Sequence, residues 1–266
     1  MLAWVGAALF AASLLYFLFS YAVTFREITP GTPDVQAVAW NVALFVAFAA
    51  HHSLFARARV RARVARTVSP TLERSMYVWI ASLMLIAVCF LWRPVPGLVW
   101  QVGPPAAWLL PVVQMAGVWL SVRSAAVIDV WDLAGVRQAS ATPNSKPQTP
   151  NRNQPAGPPP RVTADSQRAP EKASTAAQAL EFGVGSLEFK KEGPYAWVRH
   201  PIYLGWFLLV LPVATMTMTR LTFAAASCAY VLIAIPLEER GLRRITAGAY
   251  DEYIRKVRWK LVPYVY

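Results

Sequence analysis

Charged residues, cysteines and histidines are all scarce in this chain of 266 residues. Only 15% of the residues are charged, whereas soluble domains carry about a quarter, so an ordinary soluble enzyme is excluded. The two cysteines, Cys89 and Cys228, both lie inside apolar runs, which leaves no disulfide framework and no cysteine-based zinc site. With three histidines in all, we predict no metal site.

What the chain has instead is long apolar runs, and 56% of its residues are hydrophobic. A bilayer core about 30 Å thick requires roughly 20 apolar residues in a helix. Single-span candidates are residues 2–25, 35–55, 76–92 and 106–128. Residues 202–237 form a longer run, which 215–220 interrupts, and this predicts a tight helical hairpin. The fold class is therefore an all-α, polytopic transmembrane bundle of about six helices.

The net charge of +12 is explained by topology. With a cytoplasmic N-terminus, the outside loops hold only three basic residues, Arg26, Arg93 and Arg220. This distribution follows the positive-inside rule and predicts that both termini are cytoplasmic. The first run is too long for the apolar part of a signal peptide and no cleavage pattern follows, so we predict that it is retained. The basic residues indicate contact with anionic membrane lipids, not with nucleic acid.

A proline-rich stretch divides the chain. Residues 138–174 contain no aromatic side chain, and such a composition predicts a disordered linker. We divide the chain into N-terminal helices (1–137), a cytoplasmic linker (138–180) and a C-terminal hairpin with its tail (181–266). No obligate protein partner is evident.

The segment after the linker, GPYAWVRHPIYLG (193–205), has two interpretations. Pro201 suits the first turn of a helix, because its missing N–H has no partner there in any case. Arg199 and His200 then lie at the positive end of the helix dipole, which is unfavourable unless an anion binds. The segment is either a basic membrane anchor, with Tyr195 and Trp197 at the interface, or a ligand site.

Two acids, Glu238 and Glu239 (the acid doublet), follow the last apolar run. At a helix C-terminus they would oppose the dipole. Glu239 has Arg243 four residues on as an ordinary partner, whereas Glu238 has none nearby and requires Arg199 or a cationic ligand. Because the hairpin helices are antiparallel, these groups are expected to converge on one pocket. A pocket with a cation, an acid and aromatic surface suits an amphoteric nucleoside such as S-adenosylmethionine, although it does not single that ligand out.

The C-terminal motifs resemble those of the integral-membrane methyltransferases, a group that includes isoprenylcysteine carboxyl methyltransferase and the bacterial phospholipid methyltransferases. The pattern R-H-P-x-Y-x-G, then E-E-x-x-L, then a tyrosine pair is matched at Arg199, His200, Pro201, Tyr203, Gly205, Glu238, Glu239, Leu242, Tyr250 and Tyr253. Upstream, HHSLFARARVRARVAR (51–66) and IDVWDLAGVRQ (128–138) are similar to the bacterial methanethiol S-methyltransferase branch.

The resemblance implies S-adenosylmethionine as cofactor, without a metal, in a bacterial inner-membrane protein with a cytoplasmic active site. The residues that would bind it are Tyr195, Arg199, His200, Pro201, Tyr203, Gly205, Glu238, Glu239, Tyr250 and Tyr253. Pro201 and Gly205 would let the backbone approach the ligand, and Arg199 and Glu238 are the candidate catalytic residues. Weaker candidates on the substrate side are Arg123, Asp129 and Asp132.

The implied acceptor is a small thiol or another small lipophilic molecule that enters from the bilayer. The alternatives are an isoprenylcysteine-type carboxylate, a phospholipid amine, or a non-enzymatic permease or assembly factor that retains the bundle. The few polar residues in the spans argue against a transporter.

Overall fold

A computed structural model describes residues 2–55, 60, 63–64, 70–128, 192–246 and 248–266. The helices of this part are α1 (Leu2–Ala22), α2 (Val35–Phe55), α3 (Pro70–Phe90), α4 (Ala106–Ile128), α5 (Pro201–Val210), α6 (Met218–Ile245) and α7 (Ala249–Lys256). Single turns of 3-10 helix cover Thr24–Arg26 and Gly193–Ala196, and two short strands are β1 (Leu98–Gln101) and β2 (Thr215–Thr217). The predicted 138–180 linker lies outside the described residues.

Four helices are long and apolar enough to cross a membrane, over Trp4–Arg26, Val35–Phe55, Ala106–Ile128 and Met218–Arg244. Two further apolar helices are shorter, Ser75–Phe90 and Pro201–Val210. The ten residues of α5 rise about 15 Å, which is half of a bilayer core. The expectation of a mostly helical protein with helices suited to cross a membrane is thus confirmed, with four candidate spans, while the count of six and the sidedness of the termini stay predictions.

Aromatic side chains form the centre of the bundle, where α1 packs on α3 and α6 packs on α2. Phe223 of α6 is fully buried, and its ring lies 5.3 Å from that of Phe17 and 5.3 Å from that of Trp92. Tyr21 and Phe25 complete the cluster at 5.8 Å each from Phe223. Burial of such rings is among the largest apolar contributions that single side chains make to stability.

One end of the bundle, the strand end, is closed by an antiparallel pair of β1 and β2. The predicted break at 215–220 is confirmed, but it is made by a strand, which the all-α expectation did not include. Thr217 caps α6, because its Oγ1 accepts a hydrogen bond from the Arg220 amide at 3.1 Å and so satisfies a free N–H of the first turn.

Arg220, expected in an outside loop, is instead buried in the first turn of α6. Its guanidinium donates to the carbonyl oxygens of Tyr21 (2.7 and 3.0 Å), Ala22 (3.0 Å) and Thr215 (2.6 Å). The last carbonyls of a helix have no partner within it, and a cation is favoured at that end. Arg220 therefore ties the end of α1 to the start of α6.

Helices α4 and α5 cross almost backbone to backbone. A Cβ atom added at Gly117 would lie 2.6 Å from the Gly205 carbonyl oxygen, and one added at Gly205 would lie 2.2 Å from Ser121 Oγ. Gln114 Nε2 also donates to the Leu209 carbonyl oxygen at 2.7 Å. The crossing fixes where α5 begins, and therefore where the residues before it lie.

Candidate functional site

The predicted start of α5 is confirmed. Pro201 is the first residue of the helix and His200 its N-cap. A preceding 3-10 turn begins at Gly193 with φ +59°, in the left-handed region where glycine costs least. Trp197 in this segment is 64% exposed, as the interfacial interpretation requires, whereas Arg199 and His200 are buried.

The acid doublet does not end α6. The helix continues to Ile245 and places Arg243 and Arg244 in its last turn, where cations are favoured by the dipole. The sequence argument that the two acids oppose a helix C-terminus is therefore wrong: Pro236 lies within the helix, and basic residues supply the true end.

Arg199, His200 and Glu239 form a compact buried group. Arg199 Nε donates to Glu239 Oε1 at 2.7 Å, and His200 Nε2 lies 3.2 Å from the same oxygen. All three residues are at most 7% exposed. The predicted convergence of the start of α5 with the acid doublet is confirmed, at what we call the site end of the bundle.

The pairing within this group differs from the sequence expectation. Arg199 pairs with Glu239, not with Glu238. Arg243, expected to pair with Glu239, instead pairs with Asp251 at 3.0 Å. The spacing along α6 identifies Arg243 as a possible partner of Glu239. Arg199, however, is buried together with Glu239, and opposite charges attract each other more strongly where water is excluded.

Glu238 is the open carboxylate of the doublet. Its side chain is 47% exposed, while that of Glu239 is 9% exposed. The Tyr203 hydroxyl donates to Glu238 Oε2 at 3.0 Å, and His200 Nδ1 lies 3.9 Å from that oxygen. The rings of His200 and Tyr203 stack with centroids 5.5 Å apart. The Glu238 carboxylate therefore lies beside two stacked aromatic rings and remains partly open to solvent.

Three tyrosines surround this group: Tyr250 and Tyr253 are buried, and Tyr195 is partly buried. The Tyr253 hydroxyl donates to the Tyr195 carbonyl oxygen at 2.8 Å, which attaches α7 to the turn before α5. Burial, assisted by the negative charge of Glu238, raises the pKa of Tyr195. Burial also raises the pKa of Tyr250, where Glu239 adds to the effect, and that of Tyr253. At neutral pH these phenols therefore stay protonated.

The remaining candidates lie elsewhere or outside the described residues. Arg123 is exposed on α4, and Asp129 and Asp132 lie outside the described residues. The space that Gly205 leaves free is filled by Gly117 and Ser121 of α4, so its missing side chain allows the two helices to pack closely, and its role in cofactor binding stays a prediction. Within the described part, no cluster of three His, Cys, Asp or Glu side chains is arranged to hold a metal ion.

Sequence reasoning missed the C-terminal tail. Arg199 Nη1 donates to the carbonyl oxygens of Val257 (2.9 Å) and Arg258 (2.6 Å). These are backbone acceptors, which every residue carries, so no residue type in the tail marks the contact. The only sequence signal was Arg199 itself, whose charge required partners.

Comparison with known proteins identifies the family. The model of the isoprenylcysteine carboxyl methyltransferase (ICMT) family matches residues 184–244, which include the start of α5 and the acid doublet. The chain is 32% identical to methanethiol S-methyltransferase 2 of Bradyrhizobium diazoefficiens, over 95% of this chain and 85% of the relative. It is also 32% identical to the methanethiol S-methyltransferase of Mycobacterium tuberculosis, over 93% of this chain and 91% of the relative. No solved structure matches. The chain therefore belongs to the isoprenylcysteine carboxyl methyltransferase family, within which it is similar to the methanethiol S-methyltransferases.

Proposed function

We propose that this protein is an integral-membrane methyltransferase that transfers the methyl group of S-adenosylmethionine to the sulfur of a small, methanethiol-like thiol. The observation that carries the proposal is the open carboxylate of Glu238, next to the buried Arg199–Glu239–His200 group where the start of α5 meets the C-terminal part of α6. This arrangement lies within the segment that the family model matches.

The chemistry of these side chains fits the cofactor. S-adenosylmethionine carries two cationic groups, and Glu238 offers a half-exposed carboxylate to one of them. The stacked rings of His200 and Tyr203 offer an aromatic face for a purine. When bound, the cofactor supplies a methyl group that its sulfonium makes reactive. The chain's contribution is then mainly orientation, which is worth several kcal/mol in well-ordered sites.

The contacts and burial of the Arg199 side chain favour an acceptor without a permanent anionic group. Its charge is already used by Glu239 and by two backbone carbonyls, and it is 6% exposed. A carboxylate acceptor, as in isoprenylcysteine, requires a positioning cation, and Arg199 is not open to supply one. The relatives named methanethiol S-methyltransferase support the same choice.

The direct test is transfer of a labelled methyl group by the purified protein to a panel of acceptors. We expect methylation of small thiols, and none of prenylcysteines or aminolipids.

Glu238→Gln should weaken cofactor binding by about tenfold or more, as expected for loss of a charged partner. The matched control is Glu252→Gln, which removes a similarly exposed carboxylate (53%, against 47% for Glu238) from a surface pair with Lys256. Absence of cofactor binding in the wild-type protein, or equal binding in both variants, would refute the proposal.

We further propose that the site end faces the cytoplasm of a bacterial inner membrane. The support is the distribution of basic residues along the sequence, which leaves only Arg26, Arg93 and Arg220 at the opposite end of the bundle. Reporter fusions at residue 266 should report a cytoplasmic location, and a periplasmic signal would refute this orientation.

A further inference from the structure

The last part of the chain lies across the start of α5. The Arg199 amide donates to the Trp259 carbonyl oxygen at 2.9 Å, and the His200 amide donates to the Lys260 carbonyl oxygen at 2.9 Å. Residues 257–261, which we call the tail strap, thus occupy two backbone N–H groups that precede the helix and would otherwise require a ligand or water.

The Arg199 side chain holds the same strap from a second direction. Nη1 donates to the carbonyl oxygens of Val257 and Arg258 at 2.9 and 2.6 Å, while Nε donates to Glu239 at 2.7 Å. One guanidinium therefore joins the strap to the acid doublet. Hydrogen bonds from a charged donor are the stronger kind, and burial protects them from competition by water.

The end of the strap is anchored in the bundle. Leu261 is 2% exposed and packs in a cluster with Val231 and Ile235 of α6, against which Tyr203 also packs. The chain then turns back, and the Leu261 amide donates to the Tyr266 carbonyl oxygen at 2.8 Å. The strap is therefore part of the packed site end.

We propose that Arg199 is a positioning residue, which fastens the tail strap over the start of α5 and so fixes Glu239 and His200, and that it does not touch the acceptor. The inference rests on the proposed function for its kinetic part only. Without Arg199, the buried carboxylate of Glu239 would lose its permanently charged partner and keep the hydrogen bonds with His200 and Tyr250, a costly state, and two strap carbonyls would lose their donor.

The strap carries its own reporter, because trypsin cleaves after Arg258 and Lys260. The carbonyl groups of these two peptide bonds accept hydrogen bonds from Arg199 and His200, so cleavage requires the strap to open. Because trypsin also cleaves after Arg255 and Lys256, the released peptides are identified by mass. In Arg199→Gln we expect the initial rate of cleavage after Arg258 and Lys260 to rise at least about tenfold, as loss of charge-assisted hydrogen bonds implies. The matched control is Arg244→Gln, an exposed arginine of α6 that should leave the rate unchanged.

The Kd for the cofactor and the KM for the acceptor together show whether Arg199 acts by positioning or by direct contact with the acceptor. In Arg199→Gln the Kd for S-adenosylmethionine should rise about tenfold or more, while the KM for the thiol acceptor stays within about twofold. Arg199→Lys, which keeps a charge near Glu239 but has no fork to hold two carbonyls as well, should still release the strap faster than wild type. The lysine variant keeps the proposal testable if the glutamine variant does not fold.

A strap that stays protected in both variants, or a raised acceptor KM with a protected strap, would overturn the proposal. The proteolysis result is independent of activity. A wild-type protein that binds no cofactor would refute the proposed function, while faster release of the strap in the Arg199 variants would still establish Arg199 as its anchor.

Discussion

Replacing Gly205 by alanine would place a methyl group where the backbone of α4 passes. The new Cβ would lie 2.2 Å from Ser121 Oγ, 2.6 Å from the Gly117 carbonyl oxygen and 3.0 Å from the Ser121 amide nitrogen. The serine hydroxyl can rotate away, but the two backbone atoms cannot. Since non-bonded heavy atoms rest at about 3.5–4.0 Å, α5 must move away from α4 by roughly 1 Å.

The cost of this movement follows from the contacts that it loosens. Overpacking a tight site costs about 1–3 kcal/mol, and here the shift also stretches the hydrogen bonds from Gln114 to Leu209 (2.7 Å) and from Ser121 to Ile202 (3.3 Å). We expect Gly205→Ala to lower the free energy of unfolding by about 3 kcal/mol. Because Gly205 lies one turn after Pro201, the shift should also displace His200 and weaken cofactor binding.

The assay is denaturant unfolding in detergent, together with the Kd for S-adenosylmethionine. Gly241→Ala is the control, because it lies within α6 and an added Cβ meets no heavy atom within 4 Å. Alanine there should stabilise by up to about 1 kcal/mol through helix propensity. A Gly205→Ala protein as stable as wild type, with unchanged cofactor affinity, would refute the packing argument.

Three further outcomes are expected. Arg220→Gln should lose about 3 kcal/mol of stability, because four hydrogen bonds from a buried cation disappear, while the folded protein keeps its cofactor affinity. Burial raises the pKa of Tyr250 above its ordinary 10.0, so the stabilisation linked to its protonated hydroxyl is complete below pH 10 and is lost as the pH rises towards the folded pKa. In equilibrium unfolding, the free energy of unfolding of Tyr250→Phe should therefore fall less steeply at alkaline pH than that of the wild type. Deletion of residues 138–174 should leave methyl transfer largely intact, and its loss in a well-folded deletion protein would assign the segment a function.

The sequence was sufficient where one local rule dominates. Apolar length predicted the long helices, and Pro201 predicted the start of α5. The antiparallel hairpin then predicted that His200 and the acid doublet meet, which the 3.2 Å contact with Glu239 confirms.

It was insufficient where neighbouring elements or backbone groups decide. The spacing of Glu239 and Arg243 suggested a pair, but Glu239 lies against the start of α5 and pairs with Arg199, whereas Arg243, one turn further along α6, pairs with Asp251 of α7. Gly205 matched a ligand motif, yet its missing side chain makes room for another helix. The partners of Arg220 are carbonyl oxygens, which no residue type announces.

The crossing of α4 and α5 unites two segments that are far apart in sequence, since Ile128 ends one and Pro201 begins the other. The two helices are held together by the shape complementarity of their backbones. Joining them in one chain adds only a modest entropic contribution to the free energy of folding, which varies slowly with the length of the connection. A chain interrupted within residues 138–174 should therefore reassemble into a working protein when its two fragments are produced together in one cell.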